Sequence, residues 1–271
     1  KSQDAALAPT KSDVVELTFL QLNDVYEITP VEGGRFGGMT RVATVRQQLL
    51  KENPNTFTVL AGDFISPSAI GTSSYQGKRI NGAQMVDAMN AVGVDYVTFG
   101  NHEFDLGEEP LLNRLTQSQF QWVSSNILHK VNGVEPPIRF AKNADYKIPK
   151  VDPKHPNPFS PPTRVDCPEY VIKTILNADG KEVRVGIFGV TIGSNQPLYI
   201  QWSDPFESAK RVYEELKGKT DFVIAITHLS IDDDRKLVAL LPELKLILGG
   251  HEHTNMMYKE GNTIISKADA N

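Results

Sequence analysis

Five short apolar runs in this chain are each followed within three residues by aspartate, asparagine or histidine, and this repeated arrangement constrains the fold most strongly. The run 95–99, for example, leads into the segment 100–105, which contains an amide, an imidazole and two carboxylates. Such runs have the length and composition of buried β-strands. Open α/β sheets bind ligands at the edge formed by the carboxyl ends of their strands, so we expect the five ends to meet there. Their polar residues are Asp24, Asp63, Asn101, His102, His228, His251 and His253.

Segments in which apolar residues recur at helical spacing separate these strand-like runs. Helices are predicted at 39–52, 85–92, 205–217 and 232–241, and another is predicted to start at Pro110. The runs 170–176 and 183–190 flank an Asp-Gly turn and predict a β-hairpin. Strands that alternate with helices through short links predict a largely parallel sheet that is covered on both faces. We therefore expect an α/β fold, an α/β sandwich with helices outside and the site at the carboxyl ends of the strands.

The sequence predicts one folded domain at residues 16–271 after a flexible tail at 1–15. The first residues lack periodicity and are mainly small or charged, which favours a solvated tail. The proline-rich stretch at about 136–168 is predicted to be an ordered surface excursion rather than a domain boundary. The chain does not begin with methionine, which a cleaved export signal or artificial trimming would explain. We expect a periplasmic or extracellular location, and a cytoplasmic location stays the alternative.

Composition restricts the classes of partner. A net charge of −5 and a pI near 5.7 argue against a nucleic-acid polymer, which needs a basic face. The sequence contains no apolar run long enough to span a membrane. The single cysteine, Cys167, cannot form an internal disulfide and suits neither a thiolate metal site nor a Cys–His nucleophile. Two of the six histidines, His129 and His155, lie outside the strand ends, and we expect both at the surface.

The side chains at the strand ends offer carboxylate, imidazole and amide ligands, which together suit hard or borderline divalent cations. They are numerous enough to bind two ions with one bridging carboxylate. Two cations roughly 3.5–4 Å apart can hold a phosphoryl group together with a bridging hydroxide that attacks it. Each residue alone also has an ordinary interpretation, since an aspartate at a strand end is commonly a helix cap or turn former. That interpretation would have to hold at all five ends, so we predict a metal-dependent hydrolase of phosphate esters.

Four motifs, in this order, resemble the signature of the calcineurin-like metallophosphoesterases. They are Gly62-Asp63, Gly100-Asn101-His102-Glu103, Thr227-His228 and Gly250-His251-Glu252-His253. The longer segment 100–105 and the segment 20–24 resemble the 5′-nucleotidase branch of that family, which includes secreted UDP-sugar hydrolases. The resemblance covers roughly residues 16–266, and the order of four motifs makes it specific.

The resemblance implies a role for each of these side chains. Asp24 and His253 would bind the first metal ion, Asp63 would bridge, and Asn101, His228 and His251 would bind the second. His102 would contact the phosphoryl or leaving-group oxygen, and Asp105 would orient its ring, as a histidine beside metal ions requires. Glu103 is expected to support the site or to cap a helix. The identity of the two divalent ions stays open among Zn, Mn, Fe, Co and Mg.

One position departs from the family pattern. The first motif usually reads Asp-x-His, whereas this chain has Asp24, Val25 and Tyr26. The nucleotidase branch commonly ends its last motif in an amide, and His253 stands there instead, so one histidine has been exchanged for another. A phenol extends beyond the position of an imidazole nitrogen and ligates only after losing a proton with a pKa of about 10. We therefore expect Tyr26 to turn aside and leave a weaker first metal site, with ligation through its phenolate as the alternative.

These inferences predict an enzyme, and our first choice is a 5′-nucleotidase that releases phosphate from nucleoside monophosphates. Alternatives of the same class are a phosphodiesterase and a nucleotide-sugar pyrophosphatase. An alternative of another class is a binding protein of this family whose altered first metal site no longer catalyses. The expected partner is a small phosphate ester or nucleotide. In the family a C-terminal substrate-binding domain supplies aromatic residues that stack on the base, and we expect that domain to be missing from this chain.

Overall fold

The computed structural model describes residues 14–131, 136–140, 167–177 and 179–271, which form two main β-sheets with helices on their outer faces. The strands are β1 (Thr18–Leu22), β2 (Thr56–Ala61), β3 (Ser74–Tyr75), β4 (Lys78–Arg79), β5 (Tyr96–Thr98), β6 (Gln121–Trp122), β7 (Ile127–His129), β8 (Tyr170–Leu176), β9 (Glu182–Thr191), β10 (Ile200–Trp202), β11 (Phe222–His228), β12 (Leu246–Gly249), β13 (Met256–Glu260) and β14 (Thr263–Lys267). The helices are α1 (Met39–Glu52), α2 (Ala69–Thr72), α3 (Ala83–Val92), α4 (Glu108–Gln117), α5 (Pro205–Lys217) and α6 (Ile231–Leu240). Short 3₁₀ turns occupy Glu32–Gly34 and His102–Asp105.

The first sheet contains four parallel strands in the order β1-β2-β5-β6. The second contains six strands in the order β13-β14-β12-β11-β9-β8, and its four inner strands run parallel. The two outer strands, β8 and β13, are antiparallel to their neighbours. β8 and β9 are the two strands of the predicted hairpin, which is thereby confirmed. Two short pairs, β3 with β4 and β7 with β10, lie apart from the main sheets.

The two sheets pack face to face, so the single sheet that the sequence predicted is wrong. Buried apolar side chains of β2, β9 and β11 meet between them, among them Val59, Ile187 and Ile224. Helices α1, α3 and α4 cover the outer face of the first sheet, and α5 and α6 cover that of the second. A strand between a sheet and a helical layer is as apolar as one between two helical layers, and the sequence cannot distinguish them. The predicted α/β sandwich with helices outside is confirmed.

Local signals explain where the helices begin. α1 and α5 begin and end at the predicted residues. α5 starts where the carboxylate of Asp204 accepts hydrogen bonds from the backbone N–H groups of Phe206 and Glu207. α6 starts where the Ser230 hydroxyl accepts from the N–H of Asp233, and its first turn carries three aspartates. Negative charge is favoured at that end of a helix.

His129 is buried, so its predicted surface position is wrong. Its ring stacks on Phe140 with centroids 4.7 Å apart, and its Nε2 lies 2.7 Å from Glu108 Oε1. The predicted tail up to residue 13 lies outside the described residues, as do His155 and residues 141–166 of the proline-rich stretch. No helix in the described part of the chain is both long and apolar enough to cross a bilayer.

The carboxyl ends of β1, β2, β5, β11 and β12 meet at one edge of the sandwich. Within the first sheet, the N–H of Asp24 donates to the carbonyl oxygen of Gly62 over 3.0 Å. Between the sheets, the side chain of Gln21 in β1 donates to the carbonyl oxygen of Gly249 in β12 over 2.8 Å. These bonds join the ends of β1, β2 and β12, and the parallel pairing of β5 with β2 and of β11 with β12 brings the other two ends to the same edge, as the sequence predicted.

Candidate metal centre

Several polar residues that follow the strands lie on strained backbone. Asp24, Asp63 and His251 have φ angles of 52°, 56° and 80°, in the left-handed region that residues other than glycine seldom adopt. Gly100 allows two of these loops to approach closely, because a Cβ there would overlap Asp63 Oδ1. Such strain costs about 1–3 kcal/mol per residue and is concentrated at functional sites, where the surrounding structure holds it in place.

A buried contact between a histidine and a carboxylate lies at the centre of the site. His228 Nε2 lies 3.1 Å from Asp63 Oδ2, and both side chains are buried. His228 Nδ1 lies 2.7 Å from the carbonyl oxygen of Ala61, which favours the tautomer with the proton on Nδ1 and a lone pair on Nε2. Burial alone would lower the pKa of His228, but the charge of Asp63 raises it to about 9. The contact therefore favours a positive charge, which a metal ion can supply in place of a proton.

Asp24 brings a second buried carboxylate to this group. Ligand atoms of Asp24, Asp63 and His228 all lie within 4.8 Å of one another. Asp24 is completely buried, and its Oδ2 accepts hydrogen bonds from Asn23 Nδ2 over 2.8 Å and from the N–H of His251 over 2.9 Å. Two adjacent buried carboxylates are costly unless cations pair with them. Their arrangement thus provides for a bound cation.

Asn101 and His251 are the remaining residues of the predicted second metal site. Asn101 Oδ1 is buried and has no hydrogen-bond partner among the residues that the structure describes. A buried acceptor without a partner costs about 1–3 kcal/mol, which coordination of a cation would offset. The rings of His251 and His228 are 5.3 Å apart between centroids. Burial and the charge of His228 lower the pKa of His251, which favours the neutral form that binds metals.

Tyr26 points into the centre, so the prediction that it turns aside is wrong. Its Oη lies 3.2 Å from Asp24 Oδ1 and 3.3 Å from Asp63 Oδ2. It also lies 3.3 Å from Nε2 of His253, whose side chain is 56% exposed. Burial raises the pKa of Tyr26, as do the charges of Asp63 and Asp24, so the hydroxyl keeps its proton in the absence of a cation. The four side chains form a set of oxygen and nitrogen donors on the first-metal side.

Backbone contacts explain the direction of the Tyr26 side chain. The N–H groups of Tyr26 and Glu27 donate to Asn271 Oδ1 over 2.8 and 3.1 Å. The preceding residue, Val25, is buried in the core, which leaves Tyr26 to face the site. The phenol fits because its longer reach ends between two carboxylates rather than beside one.

The side chains present fit a dinuclear site for divalent metals. The donor atoms are carboxylate oxygens, imidazole nitrogens and an amide oxygen, the mixture that zinc, manganese and iron accept. One of them, Asn101 Oδ1, is buried without a hydrogen-bond partner in the described part of the chain, and another, His228 Nε2, faces the Asp63 carboxylate at 3.1 Å. Together with the paired aspartates, these atoms satisfy the chemistry of the predicted cofactors.

His102 and Asp105 form the predicted pair beside the metal ligands. His102 Nδ1 lies 2.8 Å from Asp105 Oδ2, and the N–H of His102 donates to Asp63 Oδ1 over 2.8 Å. Asp105 is held in turn by Ser66 Oγ at 2.9 Å and by Asn195 Nδ2 at 3.0 Å. Burial alone would lower the pKa of His102, but the hydrogen bond with Asp105 and the charge of Asp63 raise it. Sequence reasoning missed Ser66 and Asn195, because neither belongs to a strand-end motif.

Glu103 supports the site through hydrogen bonds to the backbone of its loops, as expected. Its carboxylate is completely buried and accepts four backbone N–H groups. The donors are Asp63 at 2.9 Å, Phe64 at 2.9 Å, Ile65 at 3.2 Å and Gly100 at 2.6 Å. Burial and the charge of Asp63 raise the pKa of Glu103 to about 7, whereas these hydrogen bonds oppose the rise. One side chain thus joins the loop after β2 to the end of β5.

The segment 267–271 also contacts the site. The N–H of Asn271 donates to the carbonyl oxygen of Asp24 over 3.2 Å. The N–H of Ala268 donates to Asn23 Oδ1 over 2.8 Å. This segment therefore holds the loop after β1 in place, and no local pattern in the sequence indicated that role.

Comparison with known proteins agrees with this geometry. The family model of the calcineurin-like phosphoesterases matches residues 17–255. The trifunctional nucleotide phosphoesterase protein YfkN of Bacillus subtilis (strain 168) is 28% identical over 274 residues, which cover 96% of this chain and 18% of that protein. The 5′-nucleotidase of Mus musculus is 25% identical over 266 residues, which cover 88% of this chain and 38% of that protein. The crystal structure of the 5′-nucleotidase precursor from Thermus thermophilus has a TM-score of 0.65 and 22% identity, over 93% of this chain and 48% of that one.

These comparisons differ in what they establish. The likeness to the solved structure supports the fold, at an identity too low to carry function. The chain spans less than two fifths of the length of either curated relative named above. The family model, by contrast, covers most of the chain and includes every strand-end motif that the structure brings to one edge. The chain therefore belongs to the calcineurin-like phosphoesterase family.

Proposed function

We propose that this chain is the catalytic domain of a metal-dependent phosphoester hydrolase that releases phosphate from nucleoside 5′-monophosphates. The observation that carries the proposal is the buried group of Asp24, Asp63 and His228 beside the His102–Asp105 pair. The two relatives named above, a nucleotide phosphoesterase and a 5′-nucleotidase, support a nucleotide as the substrate.

The roles proposed for the side chains follow from their positions. Asp24 and His253 would hold the first metal ion together with Tyr26, Asp63 would bridge, and Asn101, His228 and His251 would hold the second. When bound, two such ions neutralise phosphoryl charge and activate water. Asp105 holds Nδ1 of His102, which leaves Nε2 to donate a proton or a hydrogen bond to a substrate oxygen.

Two alternatives use the same side chains. A phosphodiesterase or nucleotide-sugar pyrophosphatase would need the same metal ligands, and the relative described as trifunctional is a reason to test several ester types. A binding protein without catalysis would follow from a damaged first site. Against that alternative, Tyr26 Oη and His253 Nε2 lie 3.3 Å apart and fill the positions in question. Export from the cytoplasm and a separate substrate-binding domain stay predictions.

The proposal is tested by Asp63→Ala and His102→Ala, with Asp232→Ala at an exposed position of α6 as the control. Asp63→Ala removes the bridging carboxylate and should lose both metal ions and hydrolysis. His102→Ala should keep both metal ions but lose about two to four orders of magnitude in rate, the loss typical of an acid–base group. Metal content is measured on protein purified without chelators, and rate is measured by phosphate release.

A panel of substrates separates the 5′-nucleotidase from the phosphodiesterase and the nucleotide-sugar pyrophosphatase. It contains a nucleoside 5′-monophosphate, a 2′,3′-cyclic nucleotide, a nucleotide sugar and nitrophenyl phosphate. Preference for the cyclic nucleotide or the nucleotide sugar would replace the 5′-nucleotidase assignment. A smaller loss for nitrophenyl phosphate in His102→Ala indicates proton donation to the leaving oxygen, and an equal loss indicates phosphoryl binding. Full metal content and full activity in Asp63→Ala would contradict the proposal.

A further inference from the structure

The ammonium group of Lys267 is buried where β14 ends, next to the loops that carry histidines of the metal centre. Nζ donates hydrogen bonds to the carbonyl oxygen of Leu229 over 2.6 Å and to that of Gly250 over 2.8 Å. Leu229 directly follows His228, and Gly250 directly precedes His251. One ammonium group therefore connects the two backbone segments that carry these histidines.

Two carboxylates complete the surroundings of Lys267. Asp234 Oδ2 lies 2.9 Å from Nζ, and both side chains are fully buried. Glu252 forms an ion pair with Nζ through Oε2, while its Oε1 accepts a hydrogen bond from the N–H of Ile231 over 2.5 Å. Glu252 belongs to the loop after β12, and Ile231 begins α6, which follows β11. The carboxylate of Glu252 thus joins the same two segments a second time.

The packing around this charge cluster leaves no spare room. A Cβ at Gly249 would lie 3.0 Å from Lys267 Cε and 3.0 Å from Asp234 Oδ2. Buried ion pairs often add no net stability relative to apolar residues of similar volume, whereas loss of one partner leaves a buried charge uncompensated. A cluster of one ammonium and two carboxylates at this place is therefore better explained by what it positions than by a gain in stability.

We propose that Lys267 is a positioning residue for the second metal site, which acts through the backbone on His228 and His251. This inference rests on the proposed function, because it concerns the metal centre assigned there. The second site would take both of these histidines, whereas the first would take only His253 from this part of the chain, together with Asp24 and Tyr26 from the loop after β1 and the bridging carboxylate of Asp63 from the loop after β2. Loss of the ammonium group should therefore affect the affinity of the second site more strongly than that of the first.

The test is Lys267→Met, with Lys259→Met at an exposed position of β13 as the matched control. Metal-free protein is titrated with Mn²⁺ by calorimetry, at a temperature where circular dichroism shows each variant to be folded. The binding step that disappears in Asn101→Ala identifies the second site. Lys267→Met should weaken that step by about 10–100-fold, the loss typical of groups that orient metal ligands, and should change the other step by less than about threefold. Lys259→Met should leave both steps unchanged.

A second variant covers the case in which Lys267→Met does not fold. Glu252→Gln keeps the pair of Lys267 with Asp234 and removes only the ion pair to the loop after β12. It should weaken the same step in the same direction. Unchanged affinity at both steps in a folded variant would overturn the positioning role. Equal weakening of both steps would also overturn it, because a general loss of stability has that effect.

Failure of the proposed function has a different signature. Metal binding that survives both Asp63→Ala and Asn101→Ala would contradict the assignment of the metal ligands themselves. Loss of metal in those two variants, together with intact binding in Lys267→Met and Glu252→Gln, would leave the metal centre standing and reject only the role of Lys267.

Discussion

Glu103→Gln tests most directly how the loops of the metal centre are held in place. Each carboxylate oxygen of the buried Glu103 accepts two backbone N–H groups. Oε2 accepts from Asp63 and Gly100. Oε1 accepts from Phe64 and Ile65. Asp63, the proposed bridging ligand, therefore depends on Glu103 for its own backbone hydrogen bond.

Glutamine keeps the size of this side chain but replaces one oxygen with an NH₂ group, which only donates. Whichever way the amide is oriented, two of the four N–H groups lose their acceptor. A buried donor without a partner costs about 1–3 kcal/mol, so the substitution should lower the free energy of unfolding by about 2–6 kcal/mol. The total for a typical domain is about 5–15 kcal/mol, so the loss would be conspicuous.

The assay is urea denaturation of metal-free protein at about pH 8, where a group with a pKa of about 7 is ionised. Metal must be removed, because a bound ion stabilises the folded state by mass action. Glu109→Gln, at an exposed position of α4, is the control and should change the free energy of unfolding by less than about 0.5 kcal/mol. A loss below about 1 kcal/mol in Glu103→Gln would refute the reasoning, because it is smaller than the cost of even one stranded donor.

Two further substitutions test other parts of the molecule. Tyr26→Phe removes the hydroxyl between Asp24 and Asp63 and should weaken the first metal-binding step by about tenfold or more. Unchanged or tighter binding in the Mn²⁺ titration would exclude Tyr26 as a ligand. Burial raises the pKa of Asp95, so the folded protein holds that proton more strongly than the unfolded chain, and stability falls as the pH rises from about 4 through the folded-state pKa. In metal-free protein, Asp95→Asn should reduce the fall of the urea midpoint with rising pH over this range. A pH dependence equal to that of the wild type would contradict the account.

The parts of the fold that the sequence predicted correctly are those determined by residues close together in the chain. α1 and α5 have the predicted bounds because their apolar spacing and flanking residues lie within one short segment. β13 was missed because Met256–Glu260 lacks strand alternation and becomes a strand by pairing with β14. The burial of His129 likewise depends on Phe140 and on β10, which are separate from it in the sequence. Contacts between distant segments carry no local signal.

The residues of the candidate site also differ in how far the sequence predicts their positions. The meeting of Asp63 and His228 was predictable, because the carboxyl ends of parallel strands share an edge. The burial of Lys267 was not predictable, since a lysine is almost never fully buried unless it is paired. Its partners come from the loops after β11 and β12 and from α6, and nothing next to it in the sequence identifies them.

The two halves of the metal centre are supported differently, and the exchange of histidine for tyrosine accounts for this. On the second side, Asn101 and His228 are buried, and Lys267 donates hydrogen bonds to the backbone beside His228 and His251. On the first side, His253 comes from an exposed loop, and its ring is 5.6 Å from that of Tyr26 between centroids. The hydroxyl of Tyr26 lies close to both Asp24 and Asp63, and the imidazole on this side is supplied by His253 from the solvent-facing loop. The geometry of the first half therefore depends on an exposed side chain, whereas that of the second half is built into the core.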